Sequence, residues 1–170
     1  MSDLIRSIRD DLATHGGDWS AQGFWALAVH RFGAWRYGIG FAPLRKVASF
    51  TYRFLYKGVQ IFAGIELPCE ARVGRGCRID HFGGIVVSGY AEIGEGCVIR
   101  QGVTIGLRHV DQPAAPRIGD GVDIGAGAKL LGPITIGDGA SIGANAVVLR
   151  DVPAGAVAVG IPARIIPKRA

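Results

Sequence analysis

The chain has 170 residues, 49% of them hydrophobic, and a formal net charge of +5. This composition excludes a disordered chain, and no uncharged apolar stretch reaches the roughly 18 residues that a transmembrane helix needs. The basic residues are scattered, which favours a solvated surface over nucleic-acid binding. The 27 glycines lack the spacing of collagen and alternate with Ile and Val, so they predict closely spaced turns.

Residues 1–63 contain most of the aromatic residues, and their apolar positions recur at helical spacing. Glycines near residues 16 and 38 and Pro43 mark the breaks, so we expect three helices. Packing against the rest of the protein or a neighbouring subunit is the favoured interpretation of the three tryptophans, with a ligand-stacking or membrane-facing surface as the alternative. The basic, aromatic run of residues 45–57 keeps a peripheral membrane contact open.

A repeat of six residues follows. Aliphatic residues are six apart in three series, and a small or aliphatic residue stands four places after most of them. The three series begin at Val73, Val87 and Ile118. A period of six fits neither a helix nor an ordinary strand but a coil of short strands, whose aliphatic side chains stack into a continuous core. We expect four to five coils over 64–150, a helical region over 1–63 and a closing segment over 151–170.

Three cysteines, Cys69, Cys77 and Cys97, occur without a C-x-x-C motif. The odd number and the charged N-terminal start predict a reducing compartment, the cytoplasm. Cys77 and Cys97 occupy equivalent repeat positions and are expected to stack as small buried residues, so we predict no metal site.

Two interruptions of the repeat carry the polar residues that suit catalysis. The first contains Asp80 and His81, and the second, residues 107–117, contains Arg108 and His109. A histidine beside a carboxylate suits general-base catalysis, whereas a histidine that merely closes a turn is the alternative.

These stretches resemble the hexapeptide-repeat acyltransferases and, among them, the serine O-acetyltransferases. The matching segments include IDHFGGIVVSG at 79–89, GVTIG at 102–106, residues 124–153 and VGIPARI at 159–165. The resemblance covers about residues 20–166. It implies a mainly β fold, a left-handed parallel β-helix after a short helical segment, assembled as a homotrimer.

The resemblance also implies acetyl-CoA as co-substrate and a small acceptor with a hydroxyl group. By position, His81 matches the catalytic base, Asp80 the carboxylate that holds the substrate amine, and Glu66 the acid that orients the base. Cofactor contacts map onto a set along the repeat and the closing segment: Gly106, Ala126, Ala144, Pro162 and Arg164.

The acceptor is less well defined by the sequence. Serine acetyltransferases carry an Arg-His pair directly before a Pro-basic-Ile triplet, but here Ala114 and Ala115 precede Pro116, and the pair Arg108-His109 stands earlier in the loop. We assign substrate binding to Arg108 and His109. The expected function is serine O-acetyl transfer in cysteine biosynthesis. A sugar O-acetyltransferase and a non-catalytic β-helix scaffold are the alternatives.

Overall fold

The computed structural model describes residues 2–109, 111 and 113–167. Three α-helices come first, as predicted: α1 (Ser2–Thr14), α2 (Gln22–Trp35) and α3 (Ala42–Ala63), with a 3₁₀ turn at Arg36–Gly38. Fifteen short strands follow: β1 (Ile65–Glu66), β2 (Arg72–Val73), β3 (Arg78–Asp80), β4 (Ile85–Val87), β5 (Glu92–Ile93), β6 (Val98–Arg100), β7 (Thr104–Gly106), β8 (Arg117–Ile118), β9 (Asp123–Ile124), β10 (Lys129–Leu131), β11 (Thr135–Ile136), β12 (Ser141–Ile142), β13 (Val147–Val148), β14 (Val157–Val159) and β15 (Arg164–Ile166).

The strands form a parallel solenoid with three faces. Sheet 1 has the order β1-β4-β7-β10-β13, sheet 2 the order β11-β8-β5-β2, and sheet 3 the order β15-β14-β12-β9-β6-β3. From β1 to β13, every third strand therefore returns to the same face, one coil further along. This mainly β solenoid behind a helical segment confirms the predicted fold class.

The core lies inside the coils, where the period of six predicts it. The aliphatic repeat residues stack in register, for example Val87 on Ile105 and Ile105 on Leu130. Residues four places after a repeat aliphatic are fully buried, at 0% exposure: Cys77, Cys97, Val103, Val122, Ala128, Ala140 and Ala146. The coils approach so closely at their corners that a Cβ on Gly74 would collide with the backbone of Gly94 in the next coil.

The two ends of the solenoid are covered differently. At the far end, β14 pairs parallel with β12, and β15 turns back antiparallel to β14. The stack thus continues past the expected boundary at residue 150 before it closes. At the near end, α2 packs against β3, where a Cβ on Gly23 would collide with the Ile79 carbonyl oxygen.

A buried ion pair joins the helices to the first coil. Arg31 Nε on α2 lies 3.0 Å from Asp11 Oδ2 on α1, and the Asp11 side chain is fully buried. The same guanidinium donates from Nη2 to the Gly74 carbonyl oxygen at 2.6 Å. One cation therefore connects α1, α2 and the turn after β2.

Parts of the helical segment are exposed. Trp19 and Trp25 contact each other, since Trp25 Nε1 donates to the Trp19 carbonyl oxygen at 2.8 Å, but neither is buried. Packing of these two rings against the solenoid of the same chain is therefore not observed. Among the described residues, no helix is long and apolar enough to cross a membrane.

Candidate active site

His81 lies on the edge of the solenoid where the chain passes from sheet 3 to sheet 1. Its backbone φ is +66°, one of only two positive φ values among the described non-glycine residues. Such a conformation is uncommon for a side chain with a Cβ and clusters at functional positions. The two glycines that follow, Gly83 and Gly84, also have positive φ, so the turn leaves β3 sharply and His81 is exposed.

Asp80 is the last residue of β3 and lies directly before this turn. Its carboxylate forms an ion pair with Arg78, with 2.8 Å from Arg78 Nε to Asp80 Oδ1 and 2.9 Å from Nη2 to Oδ2. Asp80 is also in register with Arg100 of the next coil. The hydrogen bond that Arg100 donates to the Asp123 carboxylate raises the pKa of the Arg100 guanidinium, and the negative charge of Asp80 adds to this. Arg78 and Arg100 are thus the arginines next to the Asp80 carboxylate, which is predicted to hold the substrate amine.

A cavity of about 490 Å³ opens beside Asp80 and His81. The C-terminal end of α1 forms its other wall, with Thr14 and His15. His15 Nε2 accepts a hydrogen bond from the Ile79 amide at 3.2 Å, while its Nδ1 lies 2.6 Å from the Asp11 carbonyl oxygen. Since Nε2 accepts, Nδ1 carries the proton and donates. This neutral imidazole fastens α1 to the strand that ends at Asp80.

Sequence reasoning missed His15 and Arg78 as site residues. His15 stands at a Gly-Gly break after a predicted helix, a position that reads as a simple turn. Arg78 looked like one of many scattered cations. The only signal was its place two residues before Asp80, which in a strand puts both side chains on the same face.

Glu66 lies on the outer surface of sheet 1, in register with Val86. It follows Gly64, which contacts the His81 turn: the Gly83 amide donates to the Ala63 carbonyl oxygen at 2.8 Å and the Ile85 amide to that of Gly64 at 3.2 Å. Among the described residues no hydrogen bond joins Glu66 to His81. The role of Glu66 in orienting the base therefore stays a prediction.

Three of the five predicted cofactor residues share the edge with His81. Along this edge, backbone hydrogen bonds of 2.8–3.0 Å join each turn to that of the neighbouring coil. The donating amides and accepting carbonyl oxygens are Gly102 and Gly83, Gly127 and Gln101, Asn145 and Ala126, and Val147 and Gly160. Ala126, Ala144 and Pro162 lie in these turns, and Ala144 and Pro162 are exposed. Gly106 ends β7 on the opposite edge of sheet 1, and Arg164 begins β15 with its side chain exposed.

Arg108 and His109 lie far from His81 within one chain. They follow β7 and so leave from the edge between sheets 1 and 2, whereas His81 precedes β4 on the other edge of sheet 1. Both side chains are exposed, and the Arg108 side chain lies over Gly132. Ala114 and Ala115, further along this loop, line a separate cavity of about 370 Å³ over sheet 2. Val110 and Gln112 of the loop lie outside the described residues.

Comparisons with known proteins find relatives in sequence and in fold. A family model described as bacterial transferase hexapeptide (six repeats) matches residues 115–150. A serine acetyltransferase of Synechococcus elongatus is 40% identical over 151 residues, which are 85% of this chain and 57% of that protein. The soybean serine acetyltransferase complexed with serine is 35% identical with a TM-score of 0.82, covering 98% of this chain and 70% of the other.

The chain belongs to the serine acetyltransferase family. A further solved relative is the serine acetyltransferase of Brucella abortus in complex with coenzyme A, 29% identical with a TM-score of 0.84, covering 99% of this chain and 70% of that one. The curated family members are longer, and this chain spans between half and two thirds of their length. The relatives do not favour the sugar O-acetyltransferase alternative.

The cysteines take no part in the site of this serine acetyltransferase family member. All three are buried and free, and Cys77 and Cys97 stack in the core as predicted. Contact with the Cys97 thiol and burial raise the pKa of the Cys77 thiol, and neither of these two thiols lines the cavity beside His81. Within the described part of the chain, no group of three His, Cys, Asp or Glu side chains is arranged to hold a metal ion.

Proposed function

We propose that the protein transfers an acetyl group from acetyl-CoA to the hydroxyl of L-serine, a step of cysteine biosynthesis. The observation that carries the proposal is the shared edge: exposed His81 lies on the same edge of the solenoid as the small residues Ala126 and Ala144. One solved relative of this fold is a complex with serine and another is a complex with coenzyme A. The small side chains of Ala126 and Ala144 leave room for a cofactor along the edge that carries the base.

The proposed reaction is a direct transfer. His81 removes the proton from the serine hydroxyl, and the oxygen attacks the thioester carbonyl carbon. The tetrahedral intermediate collapses with cleavage of the carbon–sulfur bond, and the His81 imidazolium returns its proton to the departing CoA thiolate. A positioned base of this kind contributes about 10²–10⁴-fold to the rate.

Asp80 and Glu66 are proposed to support His81 electrostatically. A carboxylate near the imidazole stabilises the imidazolium that forms during the transfer, and Asp80 also attracts the ammonium of serine. The Arg78 ion pair keeps the Asp80 carboxylate beside the cavity at His81. Serine binding would place its ammonium against a carboxylate that Arg78 already contacts.

A homotrimer is part of the proposal because one chain separates its own polar residues. His81 and the pair Arg108-His109 lie on opposite edges of sheet 1, and packing of neighbouring subunits can bring an edge of each type together. Arg108 and His109 of a neighbour would then bind the carboxylate of serine. We also place the protein in the cytoplasm, where acetyl-CoA is available and where the three cysteine thiols of the protein stay reduced.

An acceptor panel tests the activity. Thiol release from acetyl-CoA is measured with L-serine, D-serine and a nucleotide sugar, against a blank without acceptor. We expect release above the blank with L-serine only. Release with the nucleotide sugar and not with L-serine would contradict the proposed substrate. Release with none of the three acceptors would contradict it as well.

Mixed subunits test the shared site. His81→Ala subunits are unfolded and refolded together with Arg108→Ala/His109→Ala subunits, and each variant alone serves as the control. If the groups come from different chains of a trimer, random mixing restores both to about a quarter of the sites. No recovery of activity, together with a light-scattering mass near 17.9 kDa for the unmixed protein, would exclude the shared site.

A further inference from the structure

The outward face of α3 carries large apolar side chains that none of the described residues covers. The packed face of this helix contains Ala48, Tyr52 and Ala63, which are buried. On the opposite face, four residues at spacings of three, four and seven form one stripe: Val47, Phe50, Phe54 and Ile61, with exposures of 63%, 75%, 74% and 67%. We call these four residues the α3 apolar stripe.

Cations accompany the stripe. The helix contains Arg45, Lys46, Arg53 and Lys57 but no acidic residue. None of the four forms an ion pair within residues 2–109, 111 and 113–167. Three of them, with Ser49 and Phe50, line a cavity of about 240 Å³ on the surface of the helix. A ligand of this face therefore has to satisfy both exposed rings and uncompensated positive charge.

The charge pattern decides between the possible occupants. Packing of α3 against α3 of another copy, in the proposed trimer or around a two-fold axis, would gather the cations of these helices with no acidic residue on α3 to pair them. The surface of an anionic bilayer instead offers phosphates to the cations and acyl chains to the rings. A helix with an apolar stripe and a basic polar side is typical of one that lies in the plane of the membrane surface.

We propose that α3 binds the surface of anionic lipid bilayers. The α3 apolar stripe enters the boundary between headgroups and acyl chains, and Lys46, Arg53 and Lys57 contact lipid phosphates along its edge. The helix lies flat on the bilayer, and no described helix meets the requirements for crossing it. The cavity lined by Arg45, Lys46 and Arg53 accommodates one phosphate headgroup. Membrane binding of this kind weakens as salt screens the charges.

Vesicle flotation tests the proposal with the full chain. The vesicles consist either of phosphatidylcholine or of equal parts of phosphatidylcholine and phosphatidylglycerol. We expect at least about tenfold stronger partitioning to the anionic vesicles, and a loss of most of this preference in high salt. Equal partitioning to both kinds of vesicle, or none to either, would overturn the proposal.

Two variants and a matched control locate the contact. Lys46→Glu/Arg53→Glu and Phe50→Ser/Phe54→Ser should each lower partitioning to anionic vesicles at least about tenfold. Arg75→Glu/Arg150→Glu makes the same change in net charge on the exposed surface of the solenoid and should leave it unchanged. An equal loss in this control would show that only net charge matters and would refute a site on α3.

The light-scattering mass and the circular dichroism spectrum of each variant serve as the folding check. A Phe50→Ser/Phe54→Ser protein that folds but loses subunits would show that the stripe is a subunit contact, which overturns the lipid assignment. Thiol release with L-serine should be the same in these variants and the wild type. The membrane proposal and the proposed activity can therefore fail separately.

Discussion

The repeat positions of the solenoid and the outer face of α3 differ in where their large apolar side chains lie. In the solenoid, Ile105, Ile124 and Ile136 have no exposed surface at all. In the helical segment, Phe50 and Phe54 are each about three-quarters exposed, whereas the charged Asp11 is fully buried. Apolar character thus predicts burial at these repeat positions of the solenoid, whereas on α3 it does not.

The difference lies in what fixes the direction of each side chain. In a coil of short strands, alternation along the strand and stacking of coils both place the repeat aliphatic inside, so sequence and burial coincide. On a helix, direction follows from spacing alone, and burial depends on which face meets a neighbour. Four substitutions, in the core, at the buried junction, on α2 and on the open surface, test this difference between the two regions.

The largest effect is expected inside the solenoid. Ile105→Asp puts an unpaired carboxylate at a fully buried position, which costs several kcal/mol and approaches the whole stability of a domain. Thr104→Asp is the matched control, because Thr104 is the preceding residue of β7 and Lys129 Nζ lies 3.1 Å from its Oγ1. We expect Ile105→Asp to show no cooperative unfolding transition on heating, because it does not fold. The melting temperature of Thr104→Asp should stay close to that of the wild type. Similar melting of both would mean that the inward register is misassigned.

The buried ion pair gives the next largest effect. Asp11→Ala leaves the Arg31 guanidinium, only 10% exposed, without its carboxylate, and should lower the free energy of unfolding by about 3–5 kcal/mol. Urea denaturation measures the loss. The double variant Asp11→Leu/Arg31→Met removes both charges and should be more stable than Asp11→Ala. If the single variant is as stable as the wild type, the pair does not hold the helices to the coil.

His30 gives the helical segment a pH dependence. It is buried on α2 with its Nδ1 3.1 Å from the Pro68 carbonyl oxygen, and burial lowers its pKa from 6.5 to about 4. The unfolded chain therefore binds a proton first as the pH falls. Stability is fully present above pH 6.5 and decreases down to about pH 4, by about 3 kcal/mol from this group. Urea denaturation at both pH values should show a smaller decrease in His30→Asn, and an equal decrease would refute the assignment.

The smallest effect is expected on the surface of the solenoid. Arg75 Nε and Glu95 Oε1 are 3.4 Å apart, but both side chains are more than half exposed. Glu95→Ala should change the free energy of unfolding by no more than about 0.5 kcal/mol in the same urea assay. A loss as large as that of Asp11→Ala would remove the contrast between the buried junction and the open surface.

Much of the fold follows from the sequence because the repeat is a local signal. Spacing along the sequence predicts the three helices, the stacked coils and the stacking of the free thiols Cys77 and Cys97. The exposure of the α3 apolar stripe does not, since spacing identifies an apolar face without identifying what lies against it. The buried Arg31–Asp11 ion pair could not be predicted from the sequence either, because it joins residues 20 apart on different helices.

The candidate site, too, has a part that the sequence predicts and a part that it does not. Asp80 and His81 stand out as an interruption of the repeat, and the structure places them beside a cavity. His15 could not be found, because its partner is the backbone amide of Ile79, 64 residues away. The relation of Arg108 and His109 to His81 depends on how chains assemble, which the spacing within one chain does not encode.

His81 is proposed to be the general base of acetyl transfer. The most direct test of this role is the initial rate of CoA release with L-serine by His81→Ala, together with the dissociation constant of acetyl-CoA by calorimetry. We predict that kcat falls at least about 100-fold while the acetyl-CoA dissociation constant and the melting temperature stay close to those of the wild type. A folded His81→Ala protein that keeps more than about a tenth of the wild-type turnover would contradict the claim.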